Sequence, residues 1–174
     1  MQNISKFLSL ILRHKPEAIS IKLDSQGWAS VSDIVIGMTN TGKNVDTKDI
    51  ISIVLNDEKG RYSLKDNNTM IRANQGHSIK VDLDLKEKQP TKDLFHGTAT
   101  QFVSIILKEG LKPMQRHHVH LSDNVDTAMQ VGSRRGNPHI FTVNTSAMIV
   151  DGFKFYQSVN GVWLVDNVPT KYLY

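Results

Sequence analysis

The 174-residue sequence contains no cysteine. Disulfides and thiolate metal sites are therefore excluded, and the composition suits a reducing compartment. No apolar run approaches the roughly 18 residues that a membrane helix requires, and the first residues lack the charged, apolar and small-residue order of a signal peptide. A cytoplasmic protein with no membrane partner is expected. Also missing are a Walker-type phosphate loop, a dinucleotide-binding glycine fingerprint after a strand, and a serine in a nucleophile elbow. Ordinary kinase, dehydrogenase and hydrolase chemistry is thereby removed. There is no internal repeat and no low-complexity tract.

What is present is a chain long enough for one full domain or two small ones, with 39% hydrophobic residues to build a core. Its net charge of +4 and sequence pI near 9.3 favour an anionic partner. Charge alone does not separate nucleic acid from nucleotide.

The most concentrated chemistry lies in Arg116-His117-His118-Val119-His120-Leu121-Ser122. Apolar-polar alternation predicts a strand, with His118 and His120 on one face and Val119 and Leu121 turned into the core. Three readings are open. The histidines can be an accidental exposed cluster. They can share a metal ion, although no carboxylate set or cysteine completes four ligands. They can also line an anion or nucleotide site, with Arg116 as a fixed fork for phosphate.

Along the chain, Asn3 to His14 has helical apolar spacing, with Asn3 or Ser5 as N-cap, and Pro16 closes it. Arg13 and His14 fall in the last turn, where a cation is favoured by the helix dipole alone. Ser30 or Ser32 can cap a second helix through Met38. Asp46 or Thr47 can cap a third, with Ile50, Ile51, Val54 and Leu55 as its apolar face and Lys59-Gly60 at its end. Strands are predicted at Arg61 to Leu64 and Thr69 to Ala73. Arg61, taken alone, reads as a solvated charge. The polar run Asn74 to Ser78 holds a glycine that can bring backbone close to a ligand, while Gln75 and His77 are given no role. Three helices and a hairpin follow the order of a winged-helix domain. A mixed-charge stretch between Lys80 and Lys92 then reads as a linker, so the expected division is 1–90 and 91–174.

The second half is expected to hold a short strand at Leu94-Phe95, a helix from Phe102 to Glu109 capped by Thr98 or Thr100, the histidine strand, and a short helix capped by Asp123. A basic loop, Ser133 to Pro138, and strands at His139 to Val143, Phe153 to Tyr156 and Gly161 to Val165 complete it. The class is α+β. Across both halves, arginine and histidine recur at element ends. Arginine holds phosphate bidentately and stays charged, while histidine exchanges a proton near neutral pH. That is equipment for phosphate chemistry without a metal.

Several stretches make the sequence recognisable. These are Ser5-Lys6 with Leu10-Ile11-Leu12-Arg13-His14, Gly27-Trp28, Gly60-Arg61-Tyr62, Gln75-Gly76-His77-Ser78, Phe95-His96-Gly97-Thr98, Pro113-Met114 with Arg116 to Ser122, and Asn160-Gly161-Val162-Trp163-Leu164. In this order they resemble the RNA 2′-phosphotransferase family, also called tRNA 2′-phosphotransferases, from end to end. The resemblance implies an N-terminal winged-helix lobe that takes RNA and a C-terminal lobe of the ADP-ribosyltransferase fold that takes NAD. It implies NAD-dependent removal of an internal RNA 2′-phosphate in two steps. Nicotinamide leaves as an RNA-2′-phospho-ADP-ribose intermediate forms, and 2′-OH RNA and ADP-ribose 1″,2″-cyclic phosphate are released in the second step.

By the same resemblance the catalytic set falls on Arg13, His14, Arg61 and Arg116. The NAD contacts fall on His96, Gly97 and Thr98 and on His118, His120 and Ser122, with Arg134 as a pyrophosphate contact or a solvated charge. Gly97 suits a backbone that approaches a cofactor closely. No acidic residue is obvious in the active constellation, which suits a dianionic nucleophile. Met114 and Trp163 read as packing residues. A metal-free monomer is expected, with a role in tRNA processing and splicing if the family's familiar substrate is its own. Two alternatives stand: an ADP-ribosyltransferase that caps nucleic-acid phosphates and stops there, and a non-catalytic RNA-binding module.

Overall fold

A computed structural model describes residues 2–174. The chain is α+β, and it divides into two compact units, Met1–Asp84 and Leu85–Tyr174.

The first unit begins with α1, Gln2–Arg13. The helix is already running at Asn3 and Ser5, so neither residue is its N-cap. Leu8, Ile11 and Leu12 are buried on one face, and Pro16–Ile19 adds a 3₁₀ turn after the helix ends. A two-residue strand missed by periodicity, β1 (Ala29–Ser30), leads into α2 (Val31–Asn40). Ser30 is the cap, its Oγ accepting the Asp33 amide. Helix α3, Thr47–Leu55, is capped by Asp46 in a reciprocal box with Asp49.

Helix α3 stops at Leu55 rather than at Lys59-Gly60, and Leu55 is 76% exposed while Ile53 takes the expected core position. The released residues Asn56 to Gly60 form a turn of their own. Strands β2 (Tyr62–Lys65) and β3 (Met70–Ala73) pair antiparallel, and β1 joins the far side of β3. Asp66, Asn67 and Asn68 all have positive φ, which explains why this tight connection is made of Asp and Asn.

In the second unit β4 runs over Leu94–Ala99, so His96, Gly97 and Thr98 are strand residues and not a helix entry. Neither Thr98 nor Thr100 caps α4 (Val103–Glu109), which is entered through a 3₁₀ turn and ends at Gly110. Strand β5 is Val119–Leu121. Helix α5, Val125–Gly132, is capped by Asn124 and not Asp123; the Asn124 side chain accepts from the Thr127 amide. Strand β6 is Pro138–Val143. An unforeseen helix, α6 (Thr145–Val150), follows, capped by Asn144; its six residues are too few for a visible period. Strands β7 (Phe155–Gln157) and β8 (Trp163–Val165) complete the unit.

Strands β4 and β6 form one antiparallel pair, and β5, β8 and β7 form a three-stranded sheet in that order. A reciprocal backbone bridge between Phe95 and Ser122 ties the two sheets together. Leu94, Val119, Leu121, Val143, Met148, Phe155, Trp163 and Tyr172 share one core. Trp163 is therefore packing, as expected. Met114 is not: it is 84% exposed, with a positive φ.

Candidate functional site

In the first unit, Arg13 and His14 stand at the end of α1 and Arg61 just before β2. Two independent ties join these segments. Tyr62, next to Arg61, donates its hydroxyl to the Ser5 carbonyl at 2.9 Å and meets Ser9 Oγ, pinning β2 to α1. The second tie is the polar run from Asn74 to Ser78. At one end the Asn74 amide donates to the Arg61 carbonyl, and the Asn74 side chain bonds the Gly60 carbonyl and Ser63 Oγ. At the other end the Ser78 amide donates to the Arg13 carbonyl at 3.0 Å, while Ser78 Oγ bonds His14 Nδ1 at 2.9 Å. One five-residue segment thus fastens the three candidate catalytic residues of this unit.

Arg61 is no solvated charge. Its Nε and Nη2 donate to Asp57 Oδ1 at 2.9 and 2.7 Å, and its own backbone N–H donates to Asp57 Oδ2. The Asp57 side chain is 2% exposed and that of Arg61 33%. Burial opposes ionisation of Asp57, but the Arg61 hydrogen bonds outweigh it and hold the carboxyl below the ordinary carboxylate range. The same side-chain bond raises the Arg61 pKa. An acid is therefore present in the constellation, contrary to expectation. It lies buried behind Arg61, saturated with donors, where it fixes the guanidinium. Among the described residues two of the five guanidinium N–H groups are used, leaving three to meet a ligand.

Sequence reasoning missed Asp57 because it was assigned to a helix that in fact ends two residues earlier. The signal was the Asp57-Glu58-Lys59-Gly60-Arg61 spacing, in which a glycine turn lets an aspartate bond both ends of an arginine four residues on. For Arg13, Nε and Nη2 are shielded from solvent. His77 is buried, lying beside Gly27, so it belongs to the interior of this unit.

In the second unit His96, His120 and Arg116 form a chain of bonds. A carbonyl only accepts, so the 3.1 Å contact from His96 Nδ1 to the His120 carbonyl places the proton on Nδ1 and leaves Nε2 of a neutral ring with a lone pair. Desolvation lowers the His96 pKa, and the Arg116 charge lowers it further, outweighing the bond to His120. Arg116 only donates, so its 3.1 Å contact makes His120 Nδ1 an acceptor and fixes that ring in its Nε2–H form. The Arg116 pKa is itself lowered, by desolvation first and then by the like charges of Arg134 and Arg135. Three guanidinium groups that repel one another make a place where an anion is favoured.

His118 precedes β5 and is set apart: its ring lies 5.8 Å from that of Tyr156, and Nε2 lies 3.7 Å from Asp166 Oδ1. Desolvation lowers its pKa although Asp166 pulls the other way. The Ser122 hydroxyl is engaged in the turn entering α5, donating to the Asn124 carbonyl and accepting its amide. Thr98 is buried on β4, and Arg134 is exposed in the 3₁₀ turn after α5. Gly97 answers to a constraint that the sequence did not show. A Cβ there would stand 1.7 Å from the Ala128 carbonyl oxygen, so the glycine is required by the close packing of α5 on β4. Among the described residues no three His, Asp or Glu side chains gather to hold a metal ion, and no helix is long and apolar enough to cross a membrane.

Comparison with known proteins gives one answer over nearly the whole length. The model of the RNA 2′-phosphotransferase, Tpt1/KptA family matches residues 1–167. A protein of Flavobacterium johnsoniae described as a "Probable RNA 2′-phosphotransferase" is 52% identical over 172 residues, covering 99% of this chain and 94% of that one. Proteins of the same description from Hahella chejuensis and Acaryochloris marina are 47% and 46% identical, each over 99% of this chain and over 93% and 95% of their own.

Proposed function

Because the chain belongs to the RNA 2′-phosphotransferase, Tpt1/KptA family, we propose that it is a transferase that removes an internal 2′-phosphate from RNA with NAD as acceptor. On this reading the first unit is a winged-helix lobe that meets RNA, and the second is an ADP-ribosyltransferase-type lobe that meets NAD. The course is the two-step one, through RNA-2′-phospho-ADP-ribose to 2′-OH RNA and ADP-ribose 1″,2″-cyclic phosphate.

The observation that carries the reading is the fastening of Arg13, His14 and Arg61 by Asn74–Ser78, with Arg61 fixed by buried Asp57. A phosphate monoester with a second pKa of about 6 is largely a dianion at neutral pH. It needs positioning rather than a base to act as a nucleophile, and each charged hydrogen bond contributes about 1.5–3 kcal/mol. Arg13 and the three remaining Arg61 donors serve that purpose. In the second step a hydroxyl loses a proton and the RNA 2′-oxygen regains one. His14 suits this exchange because Ser78 Oγ can either donate to Nδ1 or accept from it, so the bond survives either proton arrangement. Arg61 and Arg116 stabilise the charge that grows on the phosphoryl oxygens.

Bound NAD supplies an electrophilic anomeric carbon with nicotinamide as leaving group. The second unit's residues fit such a ligand. Arg134, which shares a repulsive field with Arg116, suits a pyrophosphate, and neutral His96 leaves Nε2 to accept a bond from a ribose hydroxyl. Nothing in this sequence of steps calls on a metal, and the substrate is taken up by a soluble monomer in the cytoplasm.

The test is incubation with a short RNA bearing one internal 2′-phosphate, with and without NAD, with EDTA throughout, and the products resolved by mass. Loss of phosphate only with NAD, together with ADP-ribose cyclic phosphate, is expected. A stable ADP-ribosylated RNA would replace this reading with phosphate capping, and no reaction would leave a non-catalytic RNA-binding module.

A further inference from the structure

Ser5-Lys6 belongs to the recognisable part of the sequence, yet Lys6 has no part in the chemistry above. It borders a groove of about 470 Å³ in the first unit, lined by Ile4, Lys6, Phe7, Leu10, Lys43 and Asn44. The apolar lining comes from α1, while Lys6, Lys43 and Asn44 supply polar groups. Lys43 Nζ stands over the Phe7 ring, 4.5 Å from its centroid. Among the described residues no carboxylate lines the groove. The nearest acids in sequence, Asp46 and Asp49, are bound to each other's backbone amides in the α3 capping box.

Lys6, Leu10 and Arg13 stand at i, i+4 and i+7, one stripe of a 3.6-residue helix. Seven residues advance about 10 Å along the axis. At about 3.4 Å per nucleotide of a stacked strand, that is some three steps from Arg13.

We propose that this groove is a subsite for single-stranded RNA flanking the 2′-phosphorylated nucleotide, and this rests on the reading that Arg13 grips the 2′-phosphate. Lys6 and Lys43 meet backbone phosphates, and one base enters against Phe7 and Leu10 as Lys43 swings from the ring. Aromatic stacking and phosphate contacts tolerate any sequence, so the subsite reads the presence of a neighbouring strand and not its bases.

Lys6→Gln/Lys43→Gln, with each single variant as a control on folding, is compared with wild type on a 2′-phosphorylated dinucleotide and on an eight-nucleotide RNA with the phosphate in mid-chain. The expected result is roughly a tenfold loss of kcat/KM on the longer RNA and less than about twofold on the dinucleotide. In parallel, anisotropy with an unmodified octamer, which needs no turnover, is expected to show weaker binding by the double variant. The slope of log K against log salt should be shallower by about 1.4, twice about 0.7 per phosphate contact on a single strand. Equal losses on both substrates, no loss on the octamer, or an unchanged salt slope would overturn the subsite. If wild type turns over neither RNA, the proposed activity fails, and the anisotropy arm alone decides the groove.

Discussion

Replacing Asp57 with Asn tests how far the candidate chemistry depends on a residue that touches no substrate. Asn keeps the volume, and its carbonyl oxygen can still accept from the Arg61 guanidinium, now as a neutral acceptor. Its amide nitrogen, however, faces the Arg61 backbone N–H, donor against donor, at a side chain only 2% exposed. Leaving a buried donor unsatisfied costs about 1–3 kcal/mol, and weakening the charged pair adds about 1 kcal/mol. Urea unfolding is therefore expected to show a loss of about 2–4 kcal/mol, the sum of those two costs. Arg61 remains but is held only by a neutral acceptor. The expected fall in kcat is about 10- to 100-fold, short of the 10²–10³ typical of deleting such a donor outright.

The assay is steady-state removal of RNA 2′-phosphate at saturating NAD, with the KM for NAD measured separately and expected to stay within about twofold, since uniform binding to NAD is untouched. A double-mutant cycle with Arg61→Ala separates positioning from general damage: once Arg61→Ala is in place, adding Asp57→Asn should cost little further rate. If Asp57→Asn turns over within about twofold of wild type, or if its effect is undiminished without Arg61, the positioning role is wrong.

Three further outcomes are expected. Gly97→Ala drives a Cβ to 1.7 Å from the Ala128 carbonyl oxygen, and because that neighbour is backbone, α5 must move; a loss of about 3 kcal/mol or more is expected in thermal unfolding, the upper end of overpacking costs. Ser78→Ala removes the partner of His14 Nδ1, so the pH profile of single-turnover rates should shift while the KM for NAD does not; an unshifted profile would remove the serine from the mechanism. Acid should destabilise the fold through His96. Its folded pKa lies below the ordinary histidine value of about 6.5, so between the two the unfolded chain binds more protons and stability falls as pH drops below about 6.5. Urea midpoints from about pH 8 to about pH 5 check this, and His96→Gln should flatten the slope.

Much of this protein was legible from local signals. The period of α1 placed Arg13 and His14 at its end, and the alternation around His120 put Val119 and Leu121 into the core, because one buried face imposes its own repeat on a segment. Ser30, Asp46 and Gly110 acted as caps for the reasons their side chains or backbone freedom allow. Family membership was equally legible, since motifs in order survive without knowledge of what they touch.

Tertiary structure decided the rest, because the deciding partners are far apart in sequence. That Asn74–Ser78 fastens Arg61 and His14, that Gly97 is required by the packing of a helix, and that Arg116 shares its field with Arg134 and Arg135 are facts about pairs. Asp57 lay only four residues from its partner but was hidden by a wrongly extended helix. Local sequence fixes backbone preference and the chemistry of each side chain. Which nitrogen carries a proton, which charge is buried and which guanidinium is held still depend on neighbours brought together only by packing.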